Sequence, residues 1–387
     1  MKKDYDALII GGGLIGTTTA LALSQAFKWD ILLIEKQPVF TYDKNKSFLD
    51  TRTLALTAPN IEYLKSLGLE NFLSEEASLI KQIQVSQKNK FGTCLISAAE
   101  FNLNDLGAVI EIQRLQESLI EQINQQSNIQ YIHHAEVSGL KKNPCNWEAQ
   151  LETPEVNTPI EAKYIFLAYG MNSRLRESLN IHCEQKDYHQ QALVAVVHCE
   201  KSHYQTAYLR FTDKNSLAIL PLTQNRIGTV LTSDSQFIED YKKWDDASYL
   251  QFLQEEFSDR LGKFMAIGKR QSYPLWLNLA DTIALPNLVL LGNTAHSFHP
   301  VGAQGFNLGL IGLQDCIREL KKTGDFTGFS DRQKMRCLKL KNFTEYLNQI
   351  FYAKSNTIKC LRQSGLILFQ YNDFFKKKLI ESCFLGW

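Results

Sequence analysis

The chain of 387 residues is poor in several features that would mark it out. It has no apolar run approaching the roughly 20 residues that a membrane-crossing helix needs. Its eight cysteines, at positions 94, 145, 183, 199, 316, 337, 360 and 383, include no CxxC pair and no His/Cys cluster. That spacing argues against a zinc site and against a disulfide framework in so long a chain, so free thiols in a reducing cytosol are expected and no metal. An excess of one charge is also missing, with 42 Lys and Arg against 41 Asp and Glu, which argues against a nucleic-acid partner. No Ser/His/Asp or Cys/His constellation points to nucleophilic catalysis. No signal or transit segment is read before the first strand at Tyr5, and a cytoplasmic location is expected.

What is present begins at the N-terminus. Tyr5 to Ile10 is a short apolar run of the kind that forms a buried parallel strand. Gly11-Gly12-Gly13-Leu14-Ile15-Gly16 follows, then a helical pattern over Thr17 to Phe27, then a second apolar run, Ile31 to Ile34, ending in Glu35. In this strand–helix–strand order Gly11 permits the tight turn and Gly13 lets a pyrophosphate approach the backbone. Gly16 lets helix and strand pack closely, and Glu35 stands where a carboxylate can bind a ribose hydroxyl. The helix N-terminus offers unpaired N–H groups to phosphate. Taken alone, the motif does not separate FAD from NAD.

A second strand–loop–helix stands far away in the chain. Leu288 to Leu291 is a strand run, Gly292 to Gly309 is rich in glycine, and Leu308 to Leu320 has helical period. One nucleotide needs two such sites only if it is long and extended, as FAD is.

The stretch Gly292-Asn293-Thr294-Ala295-His296-Ser297-Phe298-His299-Pro300, continued by Gln304-Gly305-Phe306-Asn307-Leu308-Gly309, resembles the flavin signature of class A flavoprotein monooxygenases, the p-hydroxybenzoate hydroxylase superfamily. With Asn293 in place of the usual Asp it is most similar to the ubiquinone-biosynthesis hydroxylases, the 2-polyprenyl-6-methoxyphenol hydroxylase branch. Asp50-Thr51-Arg52-Thr53-Leu54-Ala55-Leu56, Ala168-Tyr169-Gly170-Met171-Asn172-Ser173-Arg174-Leu175-Arg176 and Tyr273-Pro274-Leu275 resemble further family segments, in family order.

The resemblance implies an α/β fold. A Rossmann-like FAD-binding domain (1–72, 100–175 and 280–330) is interleaved with an α+β substrate domain on an antiparallel sheet (73–99 and 176–279), and C-terminal helices follow (331–387). It implies cofactor contacts at Gly11, Gly13, Leu14, Ile15, Gly16, Glu35, Lys36, Arg52, Gln113, Gly292, Asn293, Gln304, Gly305, Phe306 and Asn307. His299 and Pro300 would shape the loop at the flavin ring, with acid–base duty open to an imidazole that titrates near neutrality. The implied activity is hydroxylation of a lipophilic, polyprenylated phenol by O2 through a flavin C4a-hydroperoxide, with NAD(P)H as electron donor. Leu220-Pro221-Leu222 would face the flavin.

Two departures stand out. Tyr169 replaces an Asp that orders a turn and is tied to nicotinamide handling. Ala303 replaces a glycine, at a cost of about 1 kcal/mol if φ is positive there. Other readings are a different flavin oxidoreductase such as a prenyl-lipid reductase, a pyridine-nucleotide dehydrogenase, and a degenerate flavoprotein subunit of a biosynthetic complex. A halogenase would carry W-x-W-x-I-P, which is missing. His133 and His134 read as structural, in a strand-like stretch. The end of the chain, Leu361 to Trp387, sets Phe369, Phe374 and Phe375 beside Lys376-Lys377-Lys378, an amphipathic pattern suited to a membrane surface or to packing on the protein itself. Peripheral membrane contact, or association with other quinone-biosynthesis proteins, is the corresponding expectation.

Overall fold

A computed structural model describes residues 4–38, 49, 51–90, 92–154, 157–171, 174–212, 214–300 and 304–352, together with 365, 370–372, 374 and 376–378. The expectations placed on Asp50, Asn172, Ser173, Ala303 and most of Leu361 to Trp387 lie outside the described residues.

The strand Asp4–Ile10 runs parallel to Ile31–Ile34 on one side and to Asn157–Leu167 on the other. Ile129–Ile132 and Leu288–Leu290 extend the sheet outward, both again parallel. A parallel sheet is covered on both faces, which is why residues 7–10, 31–34, 164–167 and 288–290 are continuous apolar runs. Ala7, Leu8, Ile9, Leu32, Leu33, Ile165 and Phe166 are fully buried. The helix Leu14–Ala26 returns the chain from the first strand to the second and packs against the helices Ile112–Asn124 and Gln304–Thr323. The hairpin Glu136–Lys142 and Trp147–Glu152 adds to Asn157–Leu167 in antiparallel register. His133 and His134 follow the strand Ile129–Ile132 instead of lying in it, and His134 takes a left-handed φ of 53°.

A second sheet runs His296–Ser297, Gln271–Ala280, Cys183–Cys199, Arg226–Asp234, Ser216–Pro221, Thr206–Phe211, Gln82–Gln87, Thr93–Ser97. Its pairings are antiparallel with one exception, Thr206–Phe211 beside Gln82–Gln87. Those two strands are far apart in sequence, so no hairpin dictates their direction. A bulge between Asp187 and Gln191 interrupts the pairing with Gln271–Ala280. The helices Ser235–Lys243 and Asp246–Phe257 cover one face of this sheet, burying Ile238, Tyr249, Leu253 and Phe257. A small antiparallel sheet, Thr53–Thr57, Gly107–Glu111 and Ser78–Ile80, is a third element of the architecture.

The helix Thr327–Tyr352 follows Gln304–Thr323. Farther on, Gln370 Oε1 accepts a hydrogen bond from the Leu95 amide at 2.6 Å, on the last strand of the second sheet. Lys376 is buried and pairs with Glu100 at 3.1 Å, whereas Tyr371 and Phe374 stand exposed. Two of the described C-terminal side chains therefore pack on the protein. Among the described residues no helix is long and apolar enough to cross a membrane.

Candidate functional site

A cleft of about 1430 Å³ opens at the ends of the parallel strands, bounded by both glycine loops. Gly11 has φ +106°, a left-handed turn in which a Cβ would strike the Ala168 carbonyl oxygen at 2.6 Å. A Cβ on Gly16 would lie 1.7 Å from the Gly11 oxygen, so the helix packs directly on the loop. Gly13 is different, because a Cβ there meets nothing within 4 Å. Gly13 is also the N-cap of the helix Leu14–Ala26, which has no side-chain cap and no acidic residue in its first turn. Its amides and dipole are left for an anion.

Glu35 lines the same cleft. One carboxylate oxygen accepts from the Gly12 amide at 2.6 Å and the other from the Gln37 amide at 2.8 Å. It therefore ties the glycine loop to the end of its strand, with lone pairs left over for a ligand hydroxyl. Two residues missed in the sequence complete the loop. Gln116 Nε2 donates to the Gly12 carbonyl at 3.0 Å, and the Tyr131 hydroxyl donates to it at 3.2 Å. Both line the cleft, where burial pushes the Tyr131 hydroxyl pKa up. Gln116 stands one helical turn after Gln113, a spacing that places both on one helix face. Tyr131 carries no local signal.

At the other end Gly292, Asn293, Gly305 and Phe306 line the cleft. Gly292 has φ +56° and a Cβ there would come within 2.9 Å of Ile15. Gly305, in the first turn of Gln304–Thr323, is open like Gly13, and this first turn also lacks an acidic residue. Leu14, Ile15, Lys36, Arg52 and Gln113 line the walls. Lys36 pairs with Glu136 at 2.7 Å, and Arg52 donates to the Tyr273 hydroxyl at 3.3 Å.

Gly16, Gln304, Asn307, His299 and Pro300 are not among the residues lining this cleft. Asn307 is a staple behind it. Its Oδ1 accepts from the Thr57 amide and Asn60 Nδ2, both at 2.9 Å, and its Nδ2 donates to the Ala55 carbonyl. His299 is buried, its Nε2 3.1 Å from Gln190 Oε1 and its ring edge-on to Tyr188. Both partners come from the bulge at 187–191. Burial lowers the His299 pKa to about 4, so the ring is neutral near pH 7 instead of titrating near neutrality as expected. His296 is lowered to about 4 in the same way. Tyr169 also differs from expectation. The turn is not left without an acceptor, because the Tyr169 hydroxyl accepts from the Arg176 amide at 3.1 Å and the Gly170 amide donates to Thr294 Oγ1 at 3.1 Å. Leu222, expected to face the flavin, packs with Leu49, Ile80, Val109 and Val196.

One helix start with no side-chain cap, a second whose first turn holds no acidic residue, a carboxylate at one end and open glycines at both fit an extended dinucleotide. The family described as FAD binding domain matches residues 4–321. Ubiquinone hydroxylase UbiL of Rhodospirillum rubrum is 28% identical over 308 residues, 80% of this chain and 70% of that protein. Ubiquinone hydroxylase UbiM of Neisseria meningitidis is 26% identical over 402 residues, 100% of this chain and 86% of that one. In fold, p-nitrophenol 4-monooxygenase PnpA of Pseudomonas putida superposes with a TM-score of 0.80 at 13% identity, covering 98% of this chain and 97% of that one. The chain therefore belongs to the FAD-binding domain family of class A flavoprotein monooxygenases and is an FAD-dependent enzyme.

Proposed function

We propose that the chain hydroxylates the aromatic ring of a polyprenylated phenol in ubiquinone formation, with NAD(P)H as electron donor. The observation that carries this reading is the likeness, along 80–100% of the chain, to UbiL and UbiM, both called ubiquinone hydroxylases. FAD, when bound, supplies the redox chemistry and the activation of O2.

The chain's own residues bind and orient. The Glu35 carboxylate accepts from a ribose hydroxyl while holding the Gly12 amide. The amides after Gly13 and at Gly305 and Phe306 take the anionic parts of the cofactor, and Gly292 and Asn293 flank it. Arg52, held by Tyr273, and Gln113 supply polar contacts along the wall, while Gln304, Asn307, His299 and Pro300 act from behind the cleft by fixing the loop. Apolar packing around Phe298 and Phe306 excludes water. The stretches 1–72, 100–175 and 280–330 carry the cofactor, and 73–99 with 176–279 carry the substrate. Peripheral membrane contact through the exposed Tyr371, Phe374, Lys377 and Lys378 fits a lipid-borne substrate.

The test is turnover of a short-chain prenyl phenol by the purified holoenzyme with NADPH or NADH under labelled O2. One labelled oxygen atom in the ring is the expected product. Preference for small hydrophilic phenols, or flavin reoxidation without product, would rule the reading out.

A further inference from the structure

A second cavity, of about 860 Å³, is bounded by residues of the helical stretch 58–77, the strands Ser78–Ile80 and Gly107–Glu111, and the turns at 203–205 and 222–225. None of its lining residues is shared with the FAD cleft. Its interior is mostly apolar. Ile61, Leu73, Ala108 and Leu222 are buried, while Ala58, Ala77, Leu79 and Leu103 are half-buried. Of its polar lining residues Glu62, Ser74, Asn104, Gln224 and Asn225 are exposed and form the rim, while Lys65, Asp105, Gln205 and Thr223 are half-buried and Ser78 and His203 buried. Apolar walls inside a polar mouth, at a volume within the range of ordinary ligand sites, are the marks of a pocket for an apolar body.

The rim is built at a conformational cost. Tyr204, Gln205, Gln224 and Asn225 all take left-handed backbone, with φ of 48°, 56°, 60° and 55°. None is glycine, and such residues persist only where their surroundings hold them. A buried histidine does so here. His203 Nε2 donates to the Leu222 carbonyl at 2.6 Å, and Nδ1 accepts from the Gln205 amide at 3.1 Å, so one neutral ring locks both turns. Both ring nitrogens are thereby satisfied, which leaves no histidine donor or acceptor aimed into the cavity.

The position relates the cavity to the cofactor. Leu54 lines the FAD cleft and Ala58 lines the cavity, four residues on along the same strand and its exit, a span of at most about 13 Å. Leu222, in the cavity wall, belongs to the apolar cluster with Ile80, Val109 and Val196, and Ala55 packs on that cluster. Between Leu54 and Ala58 the strand is paired with Gly107–Glu111 and pinned by Asn307 at Ala55 and Thr57, so this edge of the cavity is fixed relative to the cofactor loop.

We propose that this cavity receives the isoprenoid tail of the phenolic substrate while the ring lies at the flavin end of the cleft. The proposal rests on the polyprenyl-phenol reading above and adds the place of the tail. The polar mouth lets a long tail emerge toward a lipid surface, and the buried walls select for its first units.

Two measurements test it in the holoenzyme. In the first, Ala77→Trp and Leu103→Trp fill the half-buried walls. The ratio of kcat/KM for a farnesylated phenol to that for the same phenol without a tail should fall about tenfold or more, because apolar area is lost to the tail alone. An unchanged ratio in a folded variant overturns the proposal. In the second, a photoreactive diazirine analogue of farnesol, a tail without a ring, is crosslinked to the unmodified protein. Labelling of peptides that contain Ile61, Leu79 or Leu222, suppressed by excess farnesol, is expected. Labelling confined to other peptides, or none, overturns it even if both variants fail to fold. A wild-type enzyme that hydroxylates neither phenol defeats the parent reading instead, and the crosslink still decides the cavity.

Discussion

Ile15 and Gly292 are separated by most of the chain, yet a Cβ added to Gly292 would lie 2.9 Å from Ile15 Cγ1. One added to Gly309 would lie 2.9 Å from Ile15 Cδ1. A side chain in the first turn of the first helix thus occupies the space left by Gly292 in the second loop and Gly309 in the helix after it, and this contact sets the two anion-binding turns side by side. Replacing Ile15 with Ala should cost about 1–2 kcal/mol, less than truncation of a fully buried isoleucine because the residue is only half-buried. FAD affinity should fall with it. A lowered Tm with unchanged FAD affinity would show that the contact stabilises the fold without shaping the cleft.

Glu35→Ala should weaken FAD binding by about 1.5–3 kcal/mol, the range for hydrogen bonds to a charged group. Titration of the apoprotein with FAD measures it. Glu35→Gln keeps an acceptor for the Gly12 amide and should lose less. Equal affinity in all three proteins would remove Glu35 from the site.

The glycines of the loop separate folding from binding. Gly16→Ala sets a methyl 1.7 Å from a backbone oxygen and should destabilise the apoprotein by about 3 kcal/mol or more. Gly13→Ala meets nothing within 4 Å and has ordinary extended backbone, so its apoprotein Tm should stay near wild type while FAD affinity drops. The idea fails if Gly13→Ala binds FAD normally.

Acid should weaken the fold through its buried imidazoles. His296 and His299 are lowered to about 4 from an ordinary 6.5. Between those values the unfolded chain takes up protons that the folded chain refuses. Stability therefore rises with pH across that window and is lost as pH falls from about 6.5 toward 4. In Tm measured against pH, His299→Asn should flatten the slope in this window. An unaltered slope would mean that His299 is not held neutral.

The first glycine loop was legible because every part of it is local: Gly11, Gly13, Gly16 and Glu35 are set by one strand–helix–strand unit. The residues that secure it were not. Gln116 and Tyr131 reach the Gly12 carbonyl from 104 and 119 residues away, through a strand order that apolar runs alone do not reveal. Asn307 shows the reverse case. Its place in a flavin motif suggested a cofactor contact, while its amide is committed to Ala55, Thr57 and Asn60. The antiparallel character of the second sheet was expected from the family resemblance. The parallel entry of Gln82–Gln87 was not, since pairing between distant segments leaves no turn signature. Likewise the environment that neutralises His299 comes from a bulge at 187–191, invisible in the loop's own residues.

The bond from the Leu95 amide to Gln370 has a bearing on how shortened forms of the chain would behave. Thr93–Ser97 is the terminal strand of its sheet, and an uncovered terminal strand is a template on which another copy can add. A chain cut before Gln370 would lose that cover and the Lys376–Glu100 pair together. Such a protein should self-associate with rising concentration, visible by light scattering, whatever its ligands. Gln370→Ala alone, with the rest of the tail in place, would show how much of that protection one side chain gives.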